Sequence, residues 1–111
     1  MIDTHVHLYD SAFDPDRDQV VERAKKAGIT HCILPAIDKS TYGAMQECLE
    51  TYPGFCYKAS GLHPTSVNAD YNLELGFAYS KMTDAVAIGE IGLDFYRSRE
   101  YTGEQISAFE Q

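Results

Sequence analysis

Two histidines separated by a single residue, His5 and His7, are the first side chains here whose types and spacing suit chemistry. They belong to the segment Asp3-Thr4-His5-Val6-His7, which predicts a short β-strand, and alternate side chains of a strand point to the same face. Two imidazoles on one face form half of a site for a divalent metal ion. Taken alone, the pair could equally be two histidines that face solvent.

A carboxylate follows a second apolar segment. Residues 87–96 read Ala-Ile-Gly-Glu-Ile-Gly-Leu-Asp-Phe-Tyr, which places Glu90 at the end of a predicted strand. An unpaired charge at such a position is costly, so we expect Glu90 to contact a cation. A salt bridge to Arg97 or Arg99 is the alternative to a metal ion. The two segments together favour a metal site over a pair of surface histidines.

Four strand–helix units are predicted to hold these residues in place. The predicted strands cover residues 1–7, 29–36, 55–60 and 85–89, and the helices begin near residues 15, 39, 73 and 102. This alternation predicts a parallel sheet, with its apolar strands buried on both faces. His5, His7, His63 and Glu90 all fall at carboxyl ends of strands, the edge at which doubly wound sheets and TIM barrels build their sites.

Capping patterns predict where two of the helices begin. Asp14 has the position of an N-cap, and Pro15 that of the first helical residue. Residues 102–105, Thr-Gly-Glu-Gln, match a capping box, after which Ile106 and Phe109 begin an apolar stripe. We therefore expect the first helix to begin at Pro15 and the last to be capped by a threonine.

Composition limits the class of protein. The chain has 111 residues, of which 44% are hydrophobic and 12% aromatic, which is typical of one small packed domain or a piece of a larger one. Its formal charge of −8 excludes a basic surface for long nucleic acids, but not a nuclease that holds phosphates through metal ions. Cys32, Cys48 and Cys56 form no C-x-x-C pair, so we expect buried thiols in a reducing compartment. Without a leader or a spanning run, we expect a cytoplasmic protein with no membrane partner.

Three motifs in order carry a family resemblance. The segments at residues 3–8 (Asp-Thr-His-Val-His-Leu), 61–64 (Gly-Leu-His-Pro) and 89–96 (Gly-Glu-Ile-Gly-Leu-Asp-Phe-Tyr) resemble the TatD family of metal-dependent deoxyribonucleases. The resemblance covers the whole chain and implies a TIM (β/α)8-type barrel of the amidohydrolase kind. Residues 1–111 would then supply about four βα units, the N-terminal half of a barrel that hydrolyses DNA or another phosphodiester substrate in an exonuclease-like manner.

The resemblance also implies roles for individual residues. His5 and His7 would bind one divalent metal ion, and Glu90 would bridge to a second and take part in catalysis. The ions would be one or two of Mg, Mn or Zn. The family also uses two histidines on later strands and an aspartate on the last strand, which have no counterpart here. We therefore expect the fragment alone to be incomplete and inactive.

Substrate contacts are expected from His63 and Asp94. For His63 we expect contact with a substrate phosphate or the attacking water rather than with metal, and the alternative is a capping role before Pro64. For Asp94 the alternative is a hydrogen-bonding role within its loop. Arg97 and Arg99 could meet phosphate or lie in solvent. The aromatic side chains Tyr9, Phe13 and Phe95 could stack on a base or pack at the barrel rim.

Two alternative functions remain open at this level. A phosphoesterase of the polymerase-and-histidinol-phosphatase type also begins with H-x-H, although residues 89–96 argue against it. The other alternative is a non-catalytic half-barrel that acts by pairing with another chain. In half of a barrel, the first and fourth strands would each have an unpaired edge. This predicts self-association through the open barrel edges.

Overall fold

A parallel sheet of four strands runs through the computed structural model, which describes residues 1–111. The strands are β1 (Ile2–Asp3), β2 (His31–Pro35), β3 (Cys56–Ser60) and β4 (Ala87–Ile88). The helices are α1 (Arg17–Lys26), α2 (Tyr42–Thr51), α3 (Tyr71–Ser80) and α4 (Thr102–Glu110), and single 3₁₀ turns cover Ser11–Phe13, Lys39–Thr41 and Pro64–Ser66. None of the four α-helices has the length and hydropathy needed to cross a membrane.

The order of the strands identifies the architecture. Strands that are neighbours in sequence are also neighbours in the sheet, in the order β1-β2-β3-β4, and every adjacent pair is parallel. A doubly wound sheet reverses its strand order at a switch point, whereas a (β/α)8 barrel adds its strands consecutively. The chain therefore forms about half of a barrel wall, which confirms the predicted α/β fold class.

The main core lies between the sheet and the first two helices. Leu34 of β2, Met45 of α2 and Val21 of α1 are all but inaccessible to solvent. Burial of each such side chain contributes about 1.5–3 kcal/mol to folding. Leu8 and Tyr9 belong to the same cluster, so the segment that carries His5 and His7 is anchored in the core immediately after the second histidine.

The three cysteines are buried and free, as predicted. Cys32 and Cys56 are register partners on β2 and β3, and their Sγ atoms lie 3.5 Å apart. Cys48 lies in α2, where burial raises the pKa of its thiol. All three contribute to the main core as small apolar side chains.

The start of the first helix differs from the prediction. α1 begins at Arg17 rather than at Pro15. The Asp14 carboxylate accepts a hydrogen bond from Arg17 Nη2 at 2.6 Å instead of capping a helix. The same guanidinium donates to the carbonyl oxygens of Leu8 and Asp10, both at 2.9 Å. The arginine therefore holds the loop that follows the histidine pair, and the helix starts only after that loop is complete.

The fourth unit is more exposed than predicted. Both residues of β4 are exposed, Ile88 by 65%, because β3 is its only neighbouring strand. α4 buries Gln105 and Ala108, whereas Ile106 and Phe109 of the expected stripe are 41% and 51% exposed. The predicted capping box is also absent, since the Thr102 hydroxyl donates to the Arg99 carbonyl rather than capping the helix. This part of the chain lacks an apolar neighbour on its outer side.

Candidate metal centre

Four polar side chains meet at the carboxyl edge of the sheet. His5 and His7 follow β1, His63 follows β3, and Glu90 follows β4. The Nε2 atoms of His5 and His7 both lie 3.3 Å from Glu90 Oε2, and His63 Nε2 lies 3.2 Å from Glu90 Oε1. The alternative, a salt bridge of Glu90 to Arg97 or Arg99, does not form. The structure therefore brings the predicted carboxylate against the predicted histidine pair.

The histidine pair shares one face, although its segment is only partly strand. β1 ends at Asp3, so the histidines follow the strand rather than lie on it. The Val6 N–H still donates to the Ile33 carbonyl at 3.3 Å, which keeps the chain extended between them. The two imidazole centroids are consequently 5.1 Å apart. Asp3 accepts a hydrogen bond from the His5 backbone N–H at 3.1 Å, so it orients this segment rather than the imidazole ring.

Glu90 depends on a close approach of two backbone segments. The Glu90 N–H donates to the Ala36 carbonyl at 2.8 Å, which ties the end of β4 to the end of β2. Beneath this contact, a Cβ atom added to Gly61 would lie 2.8 Å from the Gly89 carbonyl carbon and 2.9 Å from an Ile91 methyl group. Only glycine at position 61 therefore allows the backbone of residues 89–91 to lie where Glu90 can reach the histidines.

Tyr9 determines which nitrogen of His7 is free. Its buried hydroxyl donates to the Pro35 carbonyl at 2.6 Å, and His7 Nδ1 lies 2.9 Å from the same hydroxyl. The single proton of the hydroxyl is used by Pro35, so His7 Nδ1 must be the donor. In a neutral imidazole, Nε2 then carries a lone pair. Burial raises the pKa of Tyr9 to about 12, so this hydroxyl keeps its proton.

The donor set fits a bound cation. The lone pair of His7 Nε2 faces a carboxylate oxygen of Glu90 at 3.3 Å, a repulsive arrangement that a cation between them converts into two attractive contacts. One ligand atom each of His5, His7 and Glu90 lies within 4.8 Å of the others. Histidine nitrogen together with carboxylate oxygen suits zinc, manganese and related ions.

His63 presents the opposite nitrogen. Its Nδ1 accepts from the Thr65 backbone N–H at 3.1 Å and lies 2.6 Å from the Thr65 hydroxyl. Nδ1 is therefore unprotonated, and in the neutral ring Nε2 carries the hydrogen and donates to Glu90. His63 thus caps the turn Pro64–Ser66 with one nitrogen and directs an N–H donor into the site with the other. Such a donor suits a phosphate or water oxygen better than a metal ion.

A cavity of about 370 Å³ opens beside Glu90. Its lining residues are His7, Ile37, His63, Thr65, Glu90 and Arg97. Asp94 does not line this cavity, and its carboxylate accepts a hydrogen bond from Arg97 Nη1 at 2.6 Å. The guanidinium, with help from backbone N–H groups, holds the pKa of Asp94 below its usual range. The structure therefore places Asp94 in the loop-bonding role that was the alternative, and its substrate role stays a prediction.

Three contributors were missed or misread in the sequence. Of the two roles open to Tyr9, base stacking and packing at the rim, its burial fits packing, but neither includes the contact of its hydroxyl with His7. Its position two residues after His7 continues the alternation that places both histidines on one face, and this signal could have identified it. Thr65, which orients His63, is marked only by its position after Pro64, and Gln105 had no signal apart from the mistaken capping box.

The fold and the cluster together define a class of protein: (β/α)8-type barrels with a group of histidine and carboxylate side chains, able to hold a metal ion, at the carboxyl edge of the sheet. The chain belongs to the TatD-related DNase family, whose family model matches residues 2–111. It is 35% identical over 112 aligned residues to the 3′-5′ ssDNA/RNA exonuclease TatD of Erwinia billingiae, covering 98% of this chain and 42% of that protein. The exonuclease of the same name from Dickeya dadantii is 37% identical, again over 98% of this chain and 42% of the relative.

A solved structure shows the same fold. The TatD homolog YJJV of Escherichia coli superposes with a TM-score of 0.79 at 28% identity, covering 99% of this chain and 44% of that one. These findings confirm the resemblance and the TIM-barrel fold class that the motifs predicted. The chain spans less than half the length of each of these relatives.

Proposed function

We propose that this chain carries part of the active site of a metal-dependent nuclease that hydrolyses phosphodiester bonds in DNA in an exonuclease-like manner. The observation that carries the proposal is the convergence of His5, His7 and His63 on the two oxygens of Glu90, each at 3.2–3.3 Å. The names of the relatives, which are ssDNA/RNA exonucleases, support the substrate class.

Each residue of the cluster has a distinct part in this proposal. His5, His7 and Glu90 would hold one or two divalent ions, Mg, Mn or Zn. Such an ion, when bound, lowers the pKa of its water toward ~7 and neutralises phosphate charge. Glu90 turns one oxygen to the histidine pair and the other to His63, so its orientation is fixed from two sides. His63 donates its Nε2–H toward an oxygen of the phosphate or of the attacking water.

Residues 1–111 would form the N-terminal half of the complete barrel, and turnover would require the other half. Phosphodiester hydrolysis needs activated water, neutralised charge and a positioned base at the same moment. The part of the family site that lies on later strands has no counterpart among the described residues. We therefore expect the chain alone to show no measurable turnover.

The test compares the chain with a completed barrel. Residues 1–111 are joined to the part of the Erwinia billingiae relative that lies beyond the match, and cleavage of end-labelled single-stranded DNA is followed with magnesium or manganese. We expect cleavage by the chimera only, sensitive to chelator and lost in Glu90→Gln and His5→Ala. His31→Ala, which changes a histidine at the opposite edge of the sheet, serves as the matched control.

Two outcomes would contradict the proposal. A folded chimera without chelator-sensitive cleavage would argue against the nuclease function. Robust cleavage by the chain alone, lost in His5→Ala, would show that the half-site suffices and that the missing residues are dispensable.

The exposed fourth unit favours self-association as a second proposal. Ile88 and Phe109 are exposed and line one groove at β4, whose outer edge is unpaired, and β1 provides the other open edge. Strand edges and apolar patches of this kind promote pairing between chains. We propose that the isolated chain dimerises or aggregates in the cytoplasm, as the non-catalytic half-barrel alternative also requires. A compact monomer in light scattering, together with a cooperative thermal melt, would argue against it.

A further inference from the structure

One side chain in the cavity beside Glu90 carries a permanent positive charge. Arg97 lines this cavity together with His7 and His63. A guanidinium stays protonated and presents five N–H donors in a planar fork that matches a phosphate group. The chain as a whole has a formal charge of −8, which repels a nucleic acid. A fixed cation at the cavity is therefore a local site of attraction for a phosphate.

The Arg97 side chain is held by a single partner. Its Nη1 donates to Asp94 Oδ2 at 2.6 Å, while Asp94 Oδ1 accepts the backbone N–H groups of Tyr96 and Arg97 at 3.0 and 3.2 Å. The Asp94 side chain is only 13% exposed, whereas that of Arg97 is 69% exposed. The carboxylate thus uses one edge of the guanidinium and leaves its other donors open to a ligand.

Asp94 is in turn held by a buried side chain of α4. Gln105 is 4% exposed, its Oε1 accepts the Asp94 backbone N–H at 2.8 Å, and its Nε2 donates to the Asp94 carbonyl at 3.1 Å. A buried amide is costly unless its donors and acceptors are satisfied, and here the backbone of a single residue satisfies both ends. Gln105 therefore links the helix to the loop that carries Arg97.

We propose that Arg97 binds a phosphate group of the substrate strand at the cavity beside Glu90, and that Asp94 and Gln105 are positioning residues for it. This inference rests on the proposed phosphodiesterase function and adds the group that holds substrate phosphate. It gives Asp94 an indirect role in substrate binding, through the arginine rather than by contact with the nucleic acid.

Binding without cleavage tests the assignment directly. A short fluorescein-labelled single-stranded oligodeoxynucleotide is titrated with the chain in EDTA, and its anisotropy is recorded. We expect Arg97→Ala to weaken binding by about 10- to 100-fold, the loss typical of hydrogen bonds to a charged group. Arg99→Ala removes the same charge two residues away, outside the cavity lining, and is the matched control. We expect Arg97→Lys to recover only part of the affinity, because an ammonium cannot bind a phosphate bidentately.

The positioning role predicts a dependence between two changes. Gln105→Leu should weaken binding when Arg97 is present and have no further effect in the Arg97→Ala background. A structural role alone would weaken both backgrounds equally. If Gln105→Leu fails to fold, as circular dichroism melts would show, Asp94→Asn breaks the next link in the same series and replaces it in the cycle.

The outcomes separate this inference from the proposed function. Equal losses in Arg97→Ala and Arg99→Ala would overturn the inference and assign the attraction to net charge, and so would the absence of any binding by the unsubstituted chain. In the completed barrel, Arg97→Ala should raise KM for DNA more than it lowers kcat. If the completed barrel is active and Arg97→Ala leaves its KM unchanged, the arginine assignment alone is overturned. If the completed barrel with Arg97 intact is inactive, the nuclease proposal is overturned.

Discussion

The two sides of the histidine–glutamate cluster are built in opposite ways. The closed side, formed by β1–β3 with α1 and α2, buries Leu34, Met45 and Tyr9 in one continuous core. The open side, formed by β4, residues 89–101 and α4, leaves Ile88 and Phe109 exposed. His5 and His7 belong to the closed side and Glu90 to the open side. The site is therefore assembled across a boundary between a well-packed region and one that lacks a neighbour.

The well-packed side therefore carries the two histidines, and the more exposed side carries the carboxylate. His7 is oriented by a buried tyrosine, so its lone pair is set by the core itself. Glu90 is positioned by a backbone hydrogen bond to Ala36 and by the close approach at Gly61. Changes on the two sides should therefore have separable effects on folding and on metal binding.

The largest expected effect is on stability, from the closed side. Leu34→Ala should lower the free energy of unfolding by about 2–5 kcal/mol, because it leaves a cavity in a site with no exposed surface. Ile88→Ala removes the same kind of side chain from the open side and should cost far less. Urea unfolding followed by circular dichroism measures both. Equal losses would show that β4 is as well packed as β2 and would remove the distinction.

The next effect is on metal affinity, without a large change in packing. Tyr9→Phe keeps the ring but removes the hydroxyl that accepts from His7 Nδ1. Loss of a partner of this kind reduces metal affinity by about 10- to 100-fold. Calorimetric titration with Mn²⁺ or Zn²⁺ measures the loss, and Tyr57→Phe on β3 is the control. An unchanged affinity would mean that the orientation of His7 does not depend on Tyr9.

A substitution at the boundary between the two sides should act on Glu90 alone. In Gly61→Ala, the added Cβ would lie 2.8 Å from the Gly89 carbonyl carbon, so the backbone of residues 89–91 must shift away from it. We expect divalent binding to weaken several-fold while the closed side keeps its packing. Gly43→Ala in α2 is the matched control, since an added Cβ there meets nothing within 4 Å. Retained affinity in Gly61→Ala would show that Glu90 reaches the histidines by another backbone path.

The placement of the histidines and of Glu90 could be predicted from sequence because it depends on local rules. The alternation of side chains placed His5 and His7 on one face, and the strand–helix rhythm placed Glu90 at the same edge. Tyr9 obeys the same alternation, but a tyrosine near a site suggests base stacking as readily as it suggests a partner for histidine. Its burial depends on Leu34 and Met45, which are distant in sequence.

The packing of the open side could not be predicted because apolar residues look alike whether or not a neighbour covers them. Residues 85–89 have the apolar composition of a buried strand, yet the strand that contains Ile88 has only β3 beside it. Gln105 fitted a capping box, but its amide instead satisfies the Asp94 backbone. Asp14 fitted an N-cap, but Arg17 binds its carboxylate. Ile88 lacks a neighbour, whereas Gln105 and Asp14 have partners that compete with the helix end, and a capping or strand pattern does not indicate which of these applies.

The smallest effect concerns the acid stability of the open side. The pKa of Asp94 is lowered in the folded chain, mainly by the hydrogen bond from the Arg97 guanidinium. A carboxyl group whose pKa is lower folded than unfolded stabilises the fold above its unfolded pKa, about 3.9, and loses that contribution as pH falls through its folded pKa. Asp94→Asn should therefore lower Tm slightly at pH 7 and have progressively less effect below pH 4. Because the Arg97 side chain of this pair is 69% exposed, the difference should also shrink in high salt. An asparagine oxygen can still accept the backbone N–H groups of Tyr96 and Arg97, so the substitution isolates the charge of Asp94. A loss of Tm that stays the same at pH 7 and at pH 3 would mean that this charge does not stabilise the loop.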